Sequence, residues 1–173
     1  MTATKPTQPV EAVMLPPSGS MPNNRNLPLL IYRDVLSREP DPASACEELF
    51  AQNGWTGAWR NGIYDYDHFH ATMHEVLGIV RGRVKARFGG EGGVEAELRA
   101  GDVVVIPAGV AHKNLGASKD LLVIGAYPGG GDGDGDIHTK RDAQAAKAEQ
   151  VPVPAADPVY GRQGPLRQKW REA

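Results

Sequence analysis

The chain has 173 residues, 40% of them hydrophobic, and a formal net charge of −2. That length suits one domain with tails, and such a domain can bury a core without staples. The balance excludes the basic footprint of a nucleic-acid binder and a polybasic seat on anionic lipid. The lone cysteine, Cys46, excludes an intrachain disulfide, and no apolar stretch reaches the ~20 residues of a membrane span. With no apolar run of signal-peptide length at the start, the expected location is cytoplasmic.

Residues 1–27 are rich in proline and poor in apolar periodicity, so they read as an extended N-terminal arm. A single domain over residues 28–150 follows. Its first predicted strand is the apolar run Leu29-Leu30-Ile31-Tyr32. Asp41-Pro42 opens a short helix, with Asp to cap free amides and Pro at the first helical position. Asn53-Gly54 ends it. Cys46, Leu49 and Phe50 share one face, which makes Cys46 a packed residue rather than a nucleophile. Trp55 and Trp59 are four apart, but Gly54 and Gly57 argue against a helix there; they read as packing or interface residues.

From Gly62 to Pro128 the periodicity becomes two, the signature of strands. The clearest case is a hairpin about Glu91. It sets Arg87 opposite Glu95, Lys85 opposite Glu97, Phe88 opposite Val94 and Val84 opposite Leu98, at the cost of facing Arg83 with Arg99. Further short strands at 102–106, around 112–114 and at 120–127 make the domain all-β, a sandwich or barrel. Gly129 to Asp136 reads as a solvated flexible loop. Asp132, Asp134 and Asp136 do not make a calcium loop, because Ile137 and Ala143 stand where an EF-hand needs Gly and Glu. A second short helix is predicted from Thr139 to Gln150, and residues 151–173 form a proline-rich tail on the surface.

One constellation carries chemistry. His68 and His70 on a strand point to the same face, about 6.6 Å apart, close enough for two imidazoles to share an ion. Glu75 can return on a neighbouring strand, and His112 follows a predicted turn at Ile106-Pro107-Ala108-Gly109. Three imidazoles and a carboxylate suit one divalent Fe, Mn, Ni, Co or Zn ion and leave positions open. His74 is an alternative ligand if the bend differs by one residue. Tyr64 and Tyr66 share the strand face of the histidines and are candidates for the substrate pocket wall. His138 reads as exposed.

These residues carry a resemblance to the cupin superfamily. Gly62, His68, His70, Glu75 and Gly82 match its first motif, and Gly101, Pro107, Gly109 and His112 its second, with Gly116 where the pattern has Asn. Pro22-Asn23-Asn24, Asn53-Gly54-Trp55 and Asp157-Pro158-Val159-Tyr160-Gly161 extend the likeness to the YjlB-type single-domain bacterial cupins. The resemblance implies a double-stranded β-helix, the jelly-roll barrel, flanked by two short helices, and a homodimer. It also implies that His68, His70, Glu75 and His112 hold the metal. Ile63 and Phe69, on the outward strand face, need covering by the arms or by a partner copy. Three functions remain open: a metal-dependent dioxygenase, isomerase or decarboxylase acting on a small polar molecule; a small-molecule binding or sensing module; and a metal-free sugar epimerase.

Overall fold

The computed structural model describes residues 8–171. Among these residues, nine strands form two antiparallel sheets. The larger takes β1 (Glu11–Leu15), β2 (Asn24–Tyr32), β7 (Val103–Ile106), β4 (Glu75–Arg81), β9 (Leu122–Pro128) and β3 (Trp55–Asn61), in that spatial order. The smaller takes β6 (Val94–Arg99), β5 (Arg83–Phe88) and β8 (His112–Ala117). No helix among the described residues is long and apolar enough to cross a membrane.

Strand alternation sorts the apolar residues onto two cores. Leu29, Ile31, Leu77, Ile79, Val104 and Ile106 face inward and pack against Val84, Ala86, Phe88 and Leu98 of the smaller sheet. Their neighbours Leu30, Tyr32, Val76, Val80, Val103 and Val105 face outward and are covered by Cys46, Phe50, Val159, Leu166 and Trp170. The large sheet is therefore buried on both faces, which is why Leu29–Tyr32 and Val103–Ile106 read as continuous apolar runs instead of alternating.

The helix α1 (Pro42–Gln52) forms where Asp41 and Pro42 predict it; the Asp41 side chain accepts from the Ser44 N–H at 3.2 Å. The hairpin register about Glu91 is as predicted, including Arg83 opposite Arg99. The charges pair differently. Lys85 reaches diagonally to Glu95 at 3.3 Å, and Arg87 turns to Asp67 at 2.7 Å, tying the hairpin to the segment just before His68.

Several expectations need correction. The arm expected over 1–27 contains β1 and the first residues of β2, while residues 1–7 lie outside the described residues. No helix forms at Thr139; Phe69 bridges to His138, the Arg141 N–H donates to Ser20, and only a 3-10 segment, Ala145–Gln150, follows. These long-range bonds override a weak local propensity. The tail expected to lie extended on the surface winds into α2 (Leu166–Lys169) and buries Val159, Leu166 and Trp170 in the outer core; residues 172–173 lie outside the described residues. The chain itself covers the apolar residues that suggested a partner: Phe69 packs with Met21, Ala71, Ala111 and Ala145, and Ile63 against the inter-sheet core.

Candidate metal centre

A cavity of about 180 Å³ opens between the sheets, and His68, His70, Glu75 and His112 all line it. Each arrives by a different local device. His68 and Phe69 make isolated bridges rather than a strand: His68 pairs with His112 on one side and Phe69 with His138 on the other. Glu75 is the first residue of β4, and His112 is the first of β8. The turn before His112 lies one residue later than predicted, with the Val110 N–H donating to the Pro107 carbonyl at 3.1 Å. Gly109 takes its third position at φ +91°, where a Cβ would come 2.5 Å from the Asn23 carbonyl oxygen, so glycine is required twice over.

The carboxylate is the centre of the cluster. Glu75 Oε1 lies 3.3 Å from His70 Nε2 and 3.4 Å from His112 Nε2, and the donor atoms of this trio all fall within 4.8 Å of one another. His68 stands beside the trio rather than in it, its ring centroid 4.1 Å from that of His112 and 6.2 Å from that of His70. All four side chains are buried.

The opposite nitrogen of every imidazole is committed to the main chain. Nδ1 of His68, His70 and His112 meets the carbonyl oxygens of Tyr66, Asp136 and Val110 at 2.9, 2.9 and 3.2 Å. A carbonyl only accepts, so each Nδ1 donates and each neutral ring keeps a lone pair on Nε2. This backbone anchoring is the usual support of metal-bound histidines.

The electrostatics follow. Burial would raise the Glu75 carboxyl, but the positive His70 imidazole, with His112 close by, outweighs it and holds it well below the usual carboxylate range. Burial lowers His68 to about 3, helped by His112. Burial also acts to lower His70, yet the Glu75 charge prevails and raises it. Among the described residues, no Lys or Arg pairs with the Glu75 carboxylate. The positive charge that holds Glu75 ionised comes from His70, and a divalent transition metal in place of that proton would meet a fitting mixture of N and O donors.

His74 lies outside the cavity. Its Nδ1 accepts the Ala108 N–H at 2.9 Å, and its Nε2 meets the Pro152 carbonyl at 3.1 Å, so both ring nitrogens serve the backbone. Tyr64 and Tyr66 are not on a strand, as residues 62–67 form a loop. Tyr64 lines the cavity; Tyr66 stacks on it from outside. His138 is clasped, not exposed: Nε2 meets Asp136 at 2.8 Å, Nδ1 meets Asp142 at 2.6 Å, and the ring stacks on Phe69. The Gly/Asp loop likewise belongs to the site, since Asp136 holds His70 through its carbonyl, and Asp134 and Ile137 line the cavity.

Sequence reasoning missed two aromatic residues of the wall. The Trp59 Nε1–H donates to Tyr127 Oη at 2.9 Å, and Tyr127 stands near the Glu75 carboxylate on the cavity wall. Burial, then the Glu75 charge, pushes the phenol far above its ordinary value, so it stays protonated. Tyr127 was legible: it shares strand parity with the inward Val123. Trp59 was not, because a bulge between Thr56 and Trp59, with Gly57 at φ +69°, turns Trp55 outward and Trp59 inward. Tyr127→Phe strips the Trp59 Nε1–H of its acceptor. It is expected to cost about 1–3 kcal/mol of stability, read by urea denaturation.

The cupin family model matches residues 62–127. The uncharacterized protein YjlB of Bacillus subtilis (strain 168) is 35% identical over 162 residues, spanning 92% of this chain and 96% of that protein. Acireductone dioxygenase from Bacillus anthracis, solved with a cadmium ion in its active center, is 17% identical at a TM-score of 0.44, over 58% of this chain and 78% of that one. The QdtA 3,4-ketoisomerase from Thermoanaerobacterium thermosaccharolyticum, solved with TDP, is 20% identical at 0.42, over 54% and 72%. With the motif histidines and Glu75 gathered on one cavity and most of the chain aligned to YjlB, the chain belongs to the cupin family, as a cupin of the YjlB type.

Proposed function

We propose that His68, His70, Glu75 and His112 hold one divalent metal ion, Fe, Mn, Ni, Co or Zn, in a metal-dependent enzyme of dioxygenase, isomerase or decarboxylase type. The observation that carries this reading is the set of three buried imidazoles whose Nδ1 atoms are all anchored to backbone carbonyls, with Glu75 between His70 and His112. The ion would supply Lewis acidity to an oxygen-bearing substrate, or redox chemistry if it is iron.

The chain's own residues define the rest. The cavity of about 180 Å³ is smaller than the roughly 300–1,000 Å³ of drug-sized sites, so the substrate is a small polar molecule. Leu77 and Trp59 give it an apolar flank, which orients the polar end toward the histidines. Tyr127 keeps its proton, its phenol oxygen fixed by the Trp59 N–H, and from the cavity wall can donate that proton's hydrogen bond to an oxygen of the substrate.

The test is metal content by elemental mass spectrometry on untagged protein. Near-stoichiometric metal in the wild type, lost in a folded His70→Ala variant, is the expected result. Little metal in the wild type after reconstitution would sink this reading and favour the metal-free sugar-epimerase type. Bound metal without turnover across oxygenase, isomerase and decarboxylase screens would favour a binding or sensing module. A cytoplasmic homodimer belongs to the same proposal. The pairing is what the resemblance in the sequence implies, and the buried Cys46, its thiol pushed up to about 12 by burial, is consistent with a thiol that is never oxidised. A monomer in sedimentation at micromolar concentration would remove the dimer.

A further inference from the structure

The mouth of the cavity carries chemistry that the four ligands do not use. Tyr64 and Tyr66 stack there with ring centroids 5.2 Å apart and planes inclined by 20°, and they remain 42% and 41% exposed. Asp134 stands against them: Tyr64 Oη donates to Asp134 Oδ1 at 3.4 Å, and the Asp134 charge raises the phenol of Tyr64 from its ordinary value. Among the described residues no Lys, Arg or His pairs with Asp134.

Arg60 is the one lysine or arginine among the described lining residues. It is committed elsewhere, with Nη2 and Nε on Glu47 at 2.8 and 3.0 Å and Nη2 on Ser44 at 3.3 Å. The mouth is thus aromatic and anionic, with no free guanidinium or ammonium. A carboxylate or phosphate entering there meets the unneutralised Asp134. A cationic nitrogen gains both the carboxylate and the electron-rich ring faces.

We propose that Tyr64, Tyr66 and Asp134 form a recognition site for a cationic nitrogen, and that the cavity takes a small molecule bearing an amine or quaternary ammonium at one end and oxygen donors at the other. The oxygen end points to His70, Glu75 and His112, so that half of the assignment rests on the metal-centre reading. The Gly-rich segment from Gly129 to Asp136 gains a role here, as it presents Asp134 at the mouth.

Choline and 3,3-dimethylbutan-1-ol form a matched pair, alike in shape and different in charge. Each is titrated by calorimetry into the zinc-reconstituted and the metal-free protein, with metal content measured on the same samples. Choline is expected to bind about tenfold more tightly than the neutral alcohol. That preference should shrink to within about twofold in Asp134→Asn and in Tyr64→Leu, both surface changes whose melting curves confirm folding. Equal affinity for the two probes, tighter binding of glycolate than of choline, or no choline binding at tens of millimolar would each overturn the proposal. A charge preference that persists without the ion, in protein that never takes up metal, would retain the recognition site while the metal reading falls.

Discussion

Asp157→Ala is expected to destabilise the protein by about 3–5 kcal/mol, more than any other single truncation considered. The Asp157 side chain is fully buried and serves four donors. Oδ1 accepts the N–H groups of Val159 and Tyr160 at 2.8 and 3.0 Å; Oδ2 accepts Tyr32 Oη at 2.5 Å and the Leu166 N–H at 3.0 Å. Alanine orphans all four inside the outer core, each at about 1–3 kcal/mol, and the costs are not additive because the tail can loosen. Asp157→Asn also fails, since its amide would point a donor at donors. Urea denaturation followed by circular dichroism reads the effect. A loss under about 1 kcal/mol would mean that apolar packing of Val159, Leu166 and Trp170 holds the tail unaided. A reduced m-value would show the tail already detached in the native state.

The second large effect concerns Glu75. Zinc at a hundredfold excess over its dissociation constant is expected to stabilise the wild type by about 2.7 kcal/mol, which for a domain of this size raises the melting temperature by about 5–10 °C. Glu75→Gln keeps the shape and hydrogen-bonding reach of the side chain but removes the charge that faces His70 and His112. The zinc-induced shift should fall below about 2 °C. Calorimetric melts with and without zinc check this, with Glu11→Gln, an exposed carboxylate on β1, as the control. An undiminished shift in Glu75→Gln would remove Glu75 from the donor set.

How far the chain could be read follows from how local each determinant is. The hairpin register was legible because its charges and apolar residues alternate without interruption on both strands. The cavity set was legible because His68, His70, Glu75 and His112 stand at spacings that few other constraints produce. The strand face assumed for Tyr64 and Tyr66 does not exist, because residues 62–67 form a loop; Tyr64 still lines the cavity, at its mouth, while Tyr66 stacks on it from outside. Trp59 escaped because one bulged residue reverses the parity on which strand reading depends. His138 and the tail escaped for a different reason. Their partners, Asp136 with Asp142 and Tyr32 with β2, are set by tertiary contact, and nothing in the local pattern announces a buried imidazole clasp or a carboxylate serving four donors.

The ligand-bearing segments belong to different sheets. Glu75 opens a strand of the six-stranded sheet, whereas His112 opens one of the three-stranded sheet and is bridged to His68. An ion held by these residues therefore acts as a reversible cross-link between the two walls of the barrel, closing a chain loop as a disulfide would. Opening of the smaller sheet then requires ion release first. In hydrogen exchange, adding the ion should slow the amides of β8 and the adjoining β5, while those on the outer edge of β6 continue to exchange by local fraying.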